Sequence, residues 1–269
     1  MSMSFLDAPL EGQDLTLGYR DNIITRNLNV CIPRGKFTVI VGPNACGKST
    51  LLRALSRLLA PQSGQVLLDG KLISKQGSKD IARKLGLLPQ TSVAPEGITV
   101  ADLVARGRYP HQSLWTQWSV LDEQATHDAM KATGVDTLAD RAVDSLSGGQ
   151  RQRVWIAMVL AQQTPVLLLD EPTTYLDITH QIELLELFCR LNRQQGHTLV
   201  AVLHDLNHAC RYADHIIAMR DGAILAEGAP ADIITAECVE KVFGLPCVII
   251  DDPVSHTPLV IPQGRWQPD

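Results

Sequence analysis

Gly42-Pro43-Asn44-Ala45-Cys46-Gly47-Lys48-Ser49-Thr50 fits the pattern G-x-x-x-x-G-K-[ST]. The stretch follows an apolar run, Phe37 to Val41, and opens a segment with helical spacing, Ser49 to Leu59. That strand–loop–helix context is what a phosphate-binding P-loop requires. Glycines let the backbone curl close around a polyphosphate, so that its N–H groups point inward and join the positive end of the helix dipole. Lys48 is expected to reach the β- and γ-phosphates, and the Ser49 hydroxyl to ligate a magnesium ion. Average residue usage supplies this pattern by chance in about 1% of chains of this length, and the correct context lowers that further. By itself the loop says only that a nucleoside triphosphate is bound.

Bulk properties set the limits around it. The chain of 269 residues can bury a sizeable core, as one large α/β domain or one domain with a subdomain. A net charge of −5 argues against a nucleic-acid binder, which should carry a basic footprint. No apolar run approaches the roughly 18 residues needed to span a bilayer. Met1 to Leu10, with Asp7 and Pro9, does not read as a signal peptide, so any membrane role is expected to come through a partner. The six cysteines, Cys31, Cys46, Cys189, Cys210, Cys238 and Cys247, are dispersed and form no C-x-x-C pair, so free thiols are expected. Cys46 has two readings. It is a thiol beside a helix N-terminus, where its pKa can fall, or a small residue that fits the loop.

Upstream of the loop, alternating Leu15, Leu17 and Tyr19, a turn at Arg20-Asp21-Asn22, and then Leu28, Val30 and Ile32 read as short antiparallel strands. Tyr19 is either a base-stacking aromatic or an ordinary strand residue, and spacing leaves the two even. Downstream, Pro61 to Gly64 ends the first helix, Gln65 to Asp69 is a strand, and Asp69-Gly70 is a hairpin turn. Ile81 to Lys84 is helical, and Leu85 to Gln90 is a strand running into a loop. Gln90 is a candidate magnesium ligand or water-positioning group, or simply a polar loop residue. Helix patterns follow at Thr99 to Arg106 and Leu121 to Thr133, with a short third at Leu138 to Asp140. The loop between, Arg106 to His111 with Trp115 and Trp118, reads either as a docking surface or as filling for the insert's own small core.

Leu146-Ser147-Gly148-Gly149-Gln150 precedes a helix from about Gln150 to Gln163. Ser147 is a good N-cap, and Gly148 and Gly149 leave backbone N–H groups unshielded at a positive helix end, a second anion site. Val166 to Leu169, apolar at every position, ends in Asp170 and Glu171. Such a run fits a strand buried on both faces of a parallel sheet, with ligands at its carboxyl end. Asp170 would hold magnesium, and Glu171 would act as general base on the attacking water. Ile182, Leu185, Phe188 and Leu191 space a helix. Thr198 to Leu203 repeats the strand pattern, and His204 at its end is a candidate γ-phosphate contact or a structural histidine. Residues 229–244 read as a helix pair and 248–261 as a two-strand tail, structural or packed on a dimer partner.

In that order Lys48 and Ser49, Gln90, Leu146 to Gln150, Asp170 and Glu171, Leu176-Asp177 and His204 resemble the nucleotide-binding subunit of an ABC transporter. The likeness covers nearly the whole chain. It implies a P-loop NTPase core with a RecA-like parallel sheet, an N-terminal antiparallel β subdomain and an inserted α-helical subdomain. The expected divisions are 1–92, 93–163, 164–235 and a C-terminal extension 236–269. It also implies ATP and Mg2+ as ligands, Tyr19 as the stacking aromatic, Gln90 as the Q-loop residue and Asp177 as an aspartate that communicates across a dimer. Such subunits work as head-to-tail homodimers in which Ser147 to Gln150 of one caps ATP on the P-loop of the other. Ala45 stands where many relatives carry Gly.

A narrower likeness lies in Arg106 to His111, Asp170 to Asp177, His204 to Asp214 and the tail from Val248 to Pro262. These resemble the ATPases of bacterial iron–siderophore importers, the tail especially those serving ferric enterobactin. The implied place is the cytoplasmic face of the bacterial inner membrane, held there by two hydrophobic permease subunits. A periplasmic siderophore-binding protein is an indirect partner, and neither nucleic acid nor the siderophore is bound directly. Haem, cobalamin and other iron chelates are alternative cargoes. Soluble ABC ATPases of DNA or ribosomes usually carry a long coiled-coil insertion or two cassettes, and neither is present. A small-molecule P-loop kinase would leave Ser147 to Gln150 without a role.

Overall fold

The computed structural model describes residues 8–20, 22–112 and 118–264. The chain divides into two compact units, Met1–Ser74 with Val200–Asp269, and Lys75–Leu199.

In the first unit the antiparallel hairpin forms as expected, but from two long strands. β1 (Leu10–Tyr19) and β2 (Asn22–Ile32) pair from Leu10↔Ile32 to Tyr19↔Asn22. Register shifts between Gly12 and Gly18 break the alternation without ending the pairing, which is why the sequence suggests shorter pieces. Asp21 of the expected turn lies outside the described residues. β4 (Ser63–Leu68) pairs with the other edge of β1 and turns at Asp69-Gly70 into β5 (Lys71–Leu72), for an order β2-β1-β4-β5. Asp69 and Gly70 take φ of 50° and 70°, the pair of positive values a tight hairpin turn demands.

β3 (Phe37–Val41) is buried at all five positions and runs parallel to β9 (His215–Arg220), Val39 opposite Ile216 and Ile40 opposite Ile217. Asp214 anchors this pairing. Its carboxylate accepts from the Phe37 N–H at 2.9 Å, and its own N–H donates to the Phe37 carbonyl at 2.9 Å. β10 (Ala223–Gly228) returns antiparallel to β9 through a turn at Asp221-Gly222. No element is read from the sequence for this hairpin. α1 (Lys48–Leu55) is shorter than its apolar spacing to Leu59 suggests. Arg57 swings to φ 64°, and the N–H groups of Leu58 and Leu59 both fold back onto the Arg53 carbonyl. The helix pair and tail expected at the C-terminal end are present: α8 (Pro230–Ile233), α9 (Ala236–Phe243), β11 (Cys247–Asp251) and β12 (Pro258–Pro262). Asn207, on α7 (Leu206–Tyr212), brackets Val260 in β12, taking its N–H at 2.7 Å and giving an N–H to its carbonyl at 3.3 Å.

In the second unit β6 (Leu85–Leu88) lies parallel to β7 (Val166–Asp170), Leu88 opposite Leu169. α2 (Ser78–Ala82) precedes them. α3 (Val100–Ala105), α4 (Val120–Ala132) and α5 (Gly148–Ala161) share a core that includes Val100, Leu103, Met130, Val154 and Ala157. α6 (Ile178–Gln195) follows β7, and β8 (Thr198–Val202), buried throughout, carries the chain back into the first unit. The expected third helix is a 3-10 turn at Asp136–Leu138.

The basic stretch Arg106–His111 corrects its reading as a loop: it is a 3-10 helix in which Arg108 turns inward. Arg108 is only 5% exposed. Its guanidinium donates to Asp122 Oδ1 at 2.8 Å, the Ala161 carbonyl at 2.7 Å and Gln163 Oε1 at 2.9 Å, joining α4 to the end of α5. Tyr109 and Trp118 stay exposed, while Trp115 lies outside the described residues. The Ser119 hydroxyl, then the Arg108 guanidinium, hold the Asp122 carboxyl down at about 2. A folded pKa below the unfolded value means the stabilisation is present above about pH 4 and is lost as pH falls toward 2. Arg108→Met strands a buried carboxylate and should cost about 3–5 kcal/mol. Urea unfolding at pH 7 measures that cost, and the gap from wild type should narrow on acidification through this window.

Candidate nucleotide-binding site

The phosphate loop belongs to the first unit. β3 delivers the chain at Val41, and the turn that follows needs Gly42 at φ 152° and Gly47 at φ 107°. A Cβ on Gly42 would sit 2.2 Å from the Met219 carbonyl oxygen, so only glycine lets loop and strand approach this closely. Ala45 takes φ 62°, a conformation that costs an L-residue about 1–2 kcal/mol and glycine nothing. This is the physical reason a glycine suits that position, and the alanine is accommodated there.

A loop that turns its N–H groups inward must send its carbonyls elsewhere. Lys48, the first residue of α1 and 5% exposed, donates from Nζ to the Gly42 and Pro43 carbonyls, each at 2.8 Å. Two of its three N–H groups are thus taken up by the loop itself. The Cys46 carbonyl accepts from Gly222 N–H at 3.1 Å, and the Gly222 carbonyl accepts in turn from the Thr25 hydroxyl. Tyr19, at the end of β1 and 42% exposed, accepts from Arg53 of α1 at 3.1 Å, so the candidate stacking ring is tethered to the helix that the loop opens. His204 is exposed, two residues beyond β8.

Cys46 is buried, and desolvation pushes its thiol up, against a smaller downward pull from the Lys48 ammonium. Its environment is that of a loop-filling residue.

The carboxylates and the second glycine motif belong to the other unit. Asp170 closes β7 and is 2% exposed. Glu171 follows at φ 53°, turning the chain out of the strand direction, and its Oε2 accepts from the Thr174 hydroxyl at 3.3 Å. Gln90 is exposed, two residues beyond β6. Since β6 and β7 are parallel and adjacent, Gln90 and the two carboxylates stand at the same end of the pair. Ser147 caps α5 through a reciprocal pair. Gln150 N–H donates to the Ser147 hydroxyl at 3.3 Å, and Ser147 N–H donates to Gln150 Oε1 at 3.1 Å. Gln152 donates to the Pro172 carbonyl at 3.2 Å, tying α5 to the loop that leaves Glu171.

In front of Ser147 to Gln150 lies a cleft of about 440 Å³, also lined by Arg153, Tyr175, Leu176, Asp177 and His180. The structure thereby brings Asp177 to the second glycine motif. Arg153 and His180 are not singled out by the sequence reading. The signal for each was helical spacing, Arg153 three residues after Gln150 on α5 and His180 three after Asp177 on α6. Arg153 Nε is buried and has no hydrogen-bond partner among the described residues. Among the described residues no group of three or more His, Cys, Asp or Glu side chains is arranged to hold a metal ion. None of the described helices is long and apolar enough to cross a membrane.

Comparison with known proteins places this geometry. The family described as "ABC transporter" matches residues 25–174. The chain belongs to the ABC transporter family. It is 62% identical over 97% of its length to the ferric enterobactin transport ATP-binding protein of Escherichia coli strain K12, spanning 96% of that protein. It is 54% identical to the achromobactin transport ATP-binding protein of Dickeya dadantii strain 3937, over 96% of each. Among solved structures it is similar to an ATP-binding cassette captured as a dimer in a post-hydrolysis state with ADP and Pi. That match has a TM-score of 0.73 and 28% identity over 82% of this chain and 98% of that one. The cassette fold, with its antiparallel N-terminal sheet, parallel strands and helices, is therefore the one expected.

For Cys46 the expectation is concrete. In native conditions at pH 7 the chain and its Cys46→Ser variant should consume equal amounts of Ellman's reagent, and in urea they should differ by one equivalent.

Proposed function

We propose that this chain is the ATP-hydrolysing subunit that powers import of an iron–siderophore complex of the ferric enterobactin type through a separate permease. The observation that carries this is 62% identity, spread over 97% of the chain, to an enterobactin transport ATP-binding protein. It works at the cytoplasmic face of the bacterial inner membrane, peripheral through two hydrophobic permease subunits, with a periplasmic binding protein as indirect partner. The siderophore itself does not touch this chain.

The residues present fit a nucleoside triphosphate and Mg2+. The closely approached Gly42 turn leaves a cradle that a Cβ would fill, and Lys48 retains a third N–H for a phosphate oxygen. Ser49, Asp170 and Gln90 each carry the kind of oxygen donor that a hard cation takes, and the family likeness assigns them to Mg2+. When bound, the ion neutralises charge on the phosphate oxygens. Glu171 acts as general base on the attacking water, and His204 contacts the γ-phosphate. Two such chains pair head to tail, Ser147 to Gln150 of one meeting ATP held by Gly42 to Thr50 of the other. Closure on ATP and reopening after cleavage moves the permease.

Glu171→Gln should keep ATP binding and accumulate a closed dimer while turnover falls about 10²–10⁴-fold, the usual worth of a general base. Retention of near-wild-type turnover would remove Glu171 from that role. Lys48→Ala should lose nucleotide affinity as well as turnover. Cargo is tested by iron-limited growth of a strain lacking this chain. Growth should fail on ferric enterobactin and return when the chain is restored, whereas unimpaired growth there and failure on haem or cobalamin would assign a different cargo.

A further inference from the structure

Asp177 opens α6 as its N-cap, and the carboxylate does more than capping requires. Its Oδ1 accepts from the His180 backbone N–H at 2.9 Å, the ordinary capping bond. The same Oδ1 is 2.8 Å from His180 Nδ1. With the carboxylate ionised, that ring nitrogen must carry the proton and donate. The carboxyl is held below its usual range, first by the His180 backbone N–H and next by the ring. The Asp177 side chain is 65% exposed, where a carboxylate held only by a cap would keep rotational freedom. Both residues line the cleft in front of Ser147 to Gln150, flanked by Tyr175 and Ile178 at 75% and 73% exposure. The ring contact goes beyond the capping bond and gives a second restraint to one acidic group at the edge of that cleft.

We infer that His180 is a positioning residue for ATP turnover: its Nδ1–H locks the Asp177 carboxylate in a single orientation, ready for the partner cassette that closes over the cleft. One oxygen is committed to the helix start, and the second takes no part in either bond. Without the ring contact the carboxylate is held by the capping bond alone and can pivot about it, and the closed dimer must then order its second oxygen at each cycle. The consequence falls on the rate of the closed state and leaves the affinity of the P-loop for ATP alone. This inference rests on the proposed reading of the cleft as the face that meets a second cassette.

The test uses the full chain in complex with its permease, measuring ATP hydrolysis against ATP concentration at saturating Mg2+. The variants are His180→Ala, His180→Phe and His180→Asn, with thermal unfolding followed in parallel. All three keep the backbone N–H that caps α6. His180→Ala and His180→Phe should lose roughly tenfold in kcat, within the range that contacting coupled pairs show, with KM for ATP unchanged within about twofold. His180→Asn, whose side-chain N–H reaches the same oxygen, should recover most of the rate. Asp177→Asn should itself be slow, and adding His180→Ala to it should change little further, because the two act as a unit. Wild-type kcat in His180→Ala, an equal loss in Asn and Ala, or additive losses in the double variant would each overturn the proposal. A fall in kcat that only tracks a lower melting temperature would overturn it as well. Absence of ATPase activity in the wild-type complex would instead sink the functional reading on which it stands.

Discussion

The phosphate loop depends on where its carbonyl groups go. Any backbone that curls its N–H groups around an anion turns its oxygens the other way, and buried oxygens need donors. Here Lys48 Nζ meets the Gly42 and Pro43 carbonyls, and Gly222 N–H meets that of Cys46. Gly222 is in turn locked against β2, since a Cβ there would lie 1.9 Å from the Ile24 carbonyl oxygen. The loop is therefore shaped by a hairpin turn some 170 residues away in the chain. Without the Asp221-Gly222 turn the loop would lose a donor and a wall at once.

A similar economy governs the second unit. α5 begins with a capping box in which the Ser147 and Gln150 side chains each accept from the other's backbone N–H, so two of the helix's open donors are satisfied from within the motif. Gln152 then fastens the same helix to the loop leaving Glu171. The helix that opens at Ser147 is thus hydrogen-bonded directly to the loop that carries the candidate base. At the far end of α5, Arg108 binds the Ala161 carbonyl and Asp122, so the end of α5 and the first turn of α4 share one buried cation. The helical insert is held together by this buried cation as well as by its apolar core.

The parts of the candidate site were legible in the sequence to the degree that they obey local rules. Gly42 to Thr50 has fixed spacing, Ser147 and Gln150 are three residues apart, and Val166 to Asp170 is apolar until its last residue. Cys46 illustrates the limit: beside a helix N-terminus it reads either as a reactive thiol or as a small residue that fits the loop, and burial, which raises its pKa, favours the second. Arg108 illustrates it again, because a basic cluster beside aromatics looks like a surface until the pairing carboxylate, fourteen residues on, is seen. His180 is not legible in the sequence, because a histidine after an N-cap is ordinary until the side-chain rotamer places its ring on the carboxylate.

The sequence alone determined that a loop with the phosphate-binding pattern precedes a serine-capped helix and a strand ending in two carboxylates, and that the chain resembles a siderophore-importer cassette. Those features are local in the chain, so residue type and spacing are enough to specify them. The tertiary structure decided which side chains face inward, which thiol is shielded, which hairpin closes the phosphate loop, and that Asp177 and the Ser147 cap share one cleft. Each of these depends on desolvation or on contacts between residues distant in sequence, and no periodicity encodes where such residues meet.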